Sequence, residues 1–161
     1  MSIYPVRIIL HSTGIRGRAA GKEEAVMQYV YIVVIGLHVM AGVFWAGTTI
    51  TLARDPEIRA ERFIGPQMGS AGMVFVTGAL LWYFFHGAYF GSMEMVLALG
   101  ILAAFAAAGV LSVVVRKTSR QLAGADAATE AALRSKMARG ERIAAWLLVL
   151  TVLCMATARM I

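Results

Sequence analysis

Two histidines, His38 and His86, are the residues whose type and position could do chemistry, because each lies in or beside a long stretch free of Asp, Glu, Lys and Arg. An ionisable side chain in hydrocarbon costs about 3 kcal/mol on insertion scales, so one that is kept there is a functional candidate by default. Neutral imidazole is the common axial donor to haem iron. Ala41, Gly42 and Trp45 follow His38 at spacings that share its helical face, and Gly72, Ala79 and Tyr83 share the face of His86. Glycine and alanine beside an intramembrane histidine leave room for a flat ligand such as haem b. Helix counting puts the two histidines about 7 to 10 Å apart in depth. The second axial position therefore stays open between His86, a methionine and no protein ligand. The plain alternative is that His38 hydrogen-bonds a neighbouring helix and His86 is an interfacial residue.

A second chemistry is copper handling. His86, Met93 and Met95 make a soft set suited to Cu(I), although methionine, of which the chain has ten, commonly fills cores. Gln67, just after Pro66, is expected to satisfy backbone groups freed around the proline. Cys154 has no partner for an internal disulfide and reads as a small packing residue. No nucleophile triad, phosphate loop or zinc-protease motif occurs, and catalytic residues stay unassigned.

The elements that must position these residues are helices in a membrane. The chain has 161 residues, of which 60% are hydrophobic and 15% charged, against about 45–50% apolar and 25% charged in soluble domains. A spanning helix needs roughly 20 predominantly apolar residues. Uncharged runs cover Met27 to Ala53, Phe63 to Met93, Met95 to Val115 and Ile143 to Ala158. The last reaches only about 24 Å at 1.5 Å per residue, so Arg159 is expected to snorkel and complete it. The expected fold is an all-α bundle of four transmembrane helices near 28–53, 63–87, 94–116 and 143–160, within a membrane domain of 27–161. Residues 1–26 read as an arm, disordered or preceding the true start at Met27. Residues 3–10 are apolar, but too few for a signal peptide.

Seven of the fifteen basic residues fall in Arg116 to Arg142, and Arg54, Arg59 and Arg62 lie between the first two spans. The connection from Gly87 to Ser92 carries none. By the positive-inside rule, the loops 54–62 and 116–142 are expected in the cytoplasm of a bacterial inner membrane, with both termini outside. This placement of the +6 net charge argues against nucleic acid as a partner. The first loop reads as solvated. The Ala-rich second one reads as a helix reaching out of the bilayer. Trp82, Tyr83, Tyr89 and Phe90 read as an interfacial aromatic belt. Gly36, Gly42, Gly47, Gly65, Gly69, Gly72 and Gly78, with the alanines of the third span, suggest close helix packing and homo-oligomers.

The segment Leu37-His38-Val39-Met40-Ala41-Gly42-Val43-Phe44-Trp45-Ala46-Gly47, the Arg-rich loop to Arg62 and the pair Thr77-Gly78 resemble a superfamily of small bacterial four-helix membrane proteins. It includes copper-resistance-D-like proteins and HemJ-type protoporphyrinogen oxidases. The resemblance covers about residues 28–115, and the fourth helix matches only in hydropathy. It implies a haem-ligand role for His38, with Trp45 as part of the motif, and a basic partner for a haem propionate or anionic substrate at Arg62. The expected function is a haem-b-associated membrane protein of electron transfer or porphyrin oxidation, with a redox partner. The rivals are a copper-handling protein using His86, Met93 and Met95, and a cofactor-free scaffold.

Overall fold

A computed structural model of the protein describes residues 13–55, 58–85, 90–158 and 160. Four long helices make up the fold. α1 is Thr13–Arg54, α2 is Ile64–Phe85, α3 is Ser92–Ser119 and α4 is Ala127–Ala158. Each is long and apolar enough to cross a membrane, so the chain is an all-α four-helix membrane bundle.

Three helices overrun the lengths expected from uncharged runs. α1 starts at Thr13, so the part of the expected arm from residue 13 onward is helical. α4 starts at Ala127 and carries the reach out of the bilayer expected of the second basic loop. Uncharged length marks where lipid covers a helix. In α4 the backbone continues through Ala, Glu, Arg and Lys, all good helix formers, whereas α1 continues even through Gly14, Gly17 and Gly21, which are poor ones. Arg159, Pro56, Glu57, Tyr89 and His86 lie outside the described residues.

The turn before α4 is built for a stop and a restart. Gly124 has φ of +84°, a left-handed conformation that suits glycine. Asp126 then caps α4, with its Oδ1 accepting from the Thr129 amide at 2.8 Å. The first basic loop is less solvated than expected. Ala60, in the short 3-10 turn Ala60–Arg62, is buried and Ile58 packs against the core, while Arg54, Arg59 and Arg62 stay exposed. Arg134 of α4 lies 3.9 Å from Glu61, so both basic connections sit at one end of the bundle, here called the basic end.

α1 packs along α2 and α4, and α3 packs along α4. α2 and α3 meet more lightly, through the stacked rings of Phe75 and Phe105 at 4.2 Å and a hydrogen bond from Ser112 to the Met68 sulfur at 3.3 Å. The core runs through Trp45, Leu52, Val74, Leu111, Val115 and Leu148. Large apolar side chains such as Met40, Val43, Leu102 and Leu153 stand exposed around the outside, a surface for lipid rather than water.

Close packing uses fewer of the glycines than expected. A Cβ at Gly78 would lie 3.2 Å from His38 Cε1, and one at Gly42 would lie 3.9 Å from Val74. Gly36, Gly47, Gly65, Gly69 and Gly72 meet nothing within 4 Å. The tight contacts of α4 use two other glycines. A Cβ at Gly100 would sit 3.0 Å from Cys154 Cβ, and one at Gly140 would sit 3.0 Å from Val115. Opposite Gly140, α3 widens into a π turn at Leu111–Val115.

Candidate functional site

His38 lies on the inward stripe of α1, two turns from Trp45 on the same face. It is half-buried, and its Nδ1 is 2.9 Å from Thr77 Oγ1 of α2. The threonine hydroxyl decides what this bond means. Thr77 Oγ1 donates its one proton to the Met73 carbonyl at 2.6 Å, as helical threonines do. With the hydroxyl proton placed there the oxygen accepts, which assigns the ring proton to Nδ1 and the lone pair to Nε2. A partner that fixes one imidazole nitrogen as donor is how proteins orient the other as a metal ligand. The absence of a side chain at Gly78 is what allows the ring to lie against α2. Ala41 and Gly42, half-buried on the same side of α1, add little bulk. A histidine nitrogen that keeps its lone pair has the chemistry of an axial donor to haem iron.

The other expected residues scatter. Trp45 is buried at 1% exposure, its ring set edge-on to Phe75. It shares the inward stripe of His38 and serves as core between α1 and α2. Arg62 is exposed just ahead of α2, fifteen residues from Thr77, or about 22 Å along a helix. The structure does not bring it to His38. Met93 is half-buried and Met95 is 59% exposed. Two residues apart on one helix, they look to different sides. The stripe expected to turn His86 inward, Gly72, Ala79 and Tyr83, instead faces outward. The reason is that Gln67, Ala71, Val74 and Thr77 take the inner face of α2. Among the described residues, no three His, Cys, Asp or Glu side chains group closely enough to hold a metal ion.

A second polar cluster was not foreseen. Gln67 is fully buried, and its Nε2 donates to Thr49 Oγ1 of α1 at 3.0 Å and to Glu141 Oε2 of α4 at 3.3 Å. The amide therefore ties three helices together. The hydrogen bond near Pro66 is made by Ser70, whose hydroxyl donates to the Pro66 carbonyl at 3.0 Å in the usual manner of a helical serine. Glu141, counted in the sequence among the charges of a solvated helix, is fully buried. The missed signal is spacing, since Met137, Ala138, Ala144, Ala145 and Leu148 place Glu141 in the middle of an apolar helical stripe. Comparison with family models, with curated proteins and with solved structures found no match to this chain.

Proposed function

We propose that the protein is a haem-b-associated integral membrane protein of electron transfer or porphyrin oxidation, with His38 Nε2 as the axial donor. The observation that carries this reading is the 2.9 Å contact of His38 Nδ1 with Thr77 Oγ1, which, with the Thr77 hydroxyl donating to the Met73 carbonyl, assigns the ring proton to Nδ1 and the lone pair to Nε2. Bound haem supplies one-electron chemistry. The chain's own residues hold the imidazole in one tautomer through Thr77, seat it against Gly78, and keep water away with the apolar walls of α1 and α2. Copper handling by His86, Met93 and Met95 is less favoured, because the two methionines look to different sides of α3.

The scaffold reading draws support from the glycines that meet nothing, above all Gly65, Gly69 and Gly72 on α2. Small residues spaced this way let a second membrane helix approach. A homo-oligomer is compatible with haem at His38, whereas the cofactor-free scaffold is a rival to it. We further infer a bacterial inner-membrane location with the basic end in the cytoplasm and both termini outside, from the joining of the two basic connections by Arg134 and Glu61.

Haem content of the detergent-purified protein, measured as the pyridine haemochrome against protein concentration, tests the reading. Near-stoichiometric haem in wild type and little in His38→Ala is the expected result. Equal haem in both would remove His38 from the account.

A further inference from the structure

Among the described residues, none gives Glu141 a counter-charge. It is fully buried; Oε2 accepts from Gln67 Nε2, and Oε1 has no partner. Gln67 Oε1 and Trp45 Nε1, one turn from Thr49, are unpartnered as well. The elements packed around it bring no cation. α1 offers Thr49 and Trp45, α2 offers Gln67, and the π turn of α3 presses Val115 against Gly140. Arg54, Arg62, Arg116, Lys117 and Arg139 are exposed. Arg142, the next residue along the chain, is also exposed and donates from Nε to the Ala53 carbonyl at 3.3 Å. Down α4 come Arg139 and Lys136, both exposed, and then half-buried Arg134 with its partners Glu130, at 2.7 Å, and Glu61, at 3.9 Å.

A buried carboxylate without a cation is strongly disfavoured, and taking a proton is the ordinary relief. A neutral carboxyl also gains a donor, and the adjoining Gln67 amide has an oxygen still wanting one. A small pocket lined by Leu52, Ala60, Glu61, Arg134, Met137 and Ala138 opens one turn before Glu141 on α4. The neighbouring π turn is a second mark, since such turns recur at functional sites.

We propose that Glu141 is a proton-binding site inside the bundle, charged and discharged through the Glu61–Arg134 pocket, with Gln67 and Thr49 holding its carboxyl in place. In the step, an H–O bond of hydronium at the basic end breaks, its proton bonds to the Glu141 carboxylate, and the electron pair stays with the water molecule left in the aqueous phase. No electron moves, so the site stands whether or not haem binds at His38.

Infrared spectroscopy of the full chain in phosphatidylcholine nanodiscs tests this. Wild type at neutral pH should show a protonated-carboxyl C=O stretch that shifts in D2O and fades as pH rises. Glu141→Gln should lose that band with helix content unchanged, whereas Glu94→Gln, which alters the other buried carboxyl, should keep it. The wild-type band and its titration need no variant. Carboxylate bands alone in wild type at neutral pH, or a band that survives Glu141→Gln unchanged, would overturn the proposal.

Discussion

At the scale of single residues, the account rests on which nitrogen of one imidazole carries a proton. Thr77→Val keeps the shape of the side chain but leaves Nδ1 without an oxygen to bond. The expected outcome is haem affinity about 10- to 100-fold weaker, as for other partners of metal-ligating histidines, with Thr77→Ser close to wild type. Titration of the purified apoprotein with haem measures it, and an unchanged affinity would leave Thr77 as packing alone. His38 could be read from the sequence because an ionisable residue stands out in an uncharged run. Glu141 could not be read the same way, because it sits at the edge of a charged segment and only its helical stripe betrays it. Gln67 was seen but assigned to its own backbone; its real partners are 18 and 74 residues away.

At the scale of elements, uncharged runs located all four helices and missed their lengths, since helix continues past the point where lipid stops. Small residues were the weaker guide. Glycine at a helix contact and glycine facing lipid look alike in a sequence, and α1 and α2 carry both kinds. The difference predicts opposite outcomes for one type of substitution. Gly140→Ala sets a methyl 3.0 Å from Val115 Cγ2 and 3.1 Å from Val114 Cγ1; it should destabilise the α3–α4 pair by about 1–3 kcal/mol. Gly36→Ala meets nothing and should be neutral or stabilising by about 0.5–1 kcal/mol. Reversible unfolding in mixed micelles reads both, and equal effects would contradict the packing described. The cap of α4 adds a pH dependence. Hydrogen bonds from Thr129 hold the Asp126 carboxyl below its ordinary range. A lowered pKa stabilises the helix start above the ordinary carboxylate value and loses that as pH falls through the folded one. Protection factors of the amides in the first turn of α4, taken against the intrinsic exchange rate at each pH, should therefore fall on acidification in wild type, and far less in Asp126→Asn.

At the scale of the whole molecule, the sequence was most legible, because lipid imposes length, charge exclusion and sidedness together. The topology is open to labelling in a Cys154→Ser background. Phe90→Cys should react with an impermeant thiol reagent in intact cells, and Ala123→Cys only after the membrane is opened. The reverse pattern would invert the bundle. What such constraints leave unread is the cofactor, since a bundle of this shape can be built with or without one. The most direct measurement is the absorption spectrum, oxidised and dithionite-reduced, of wild type and His38→Ala purified from haem-sufficient cells. A Soret band and a sharp reduced alpha band in wild type, lost in His38→Ala and restored in part by added imidazole, is the result predicted. A featureless wild-type spectrum, or one that His38→Ala leaves intact, would contradict it.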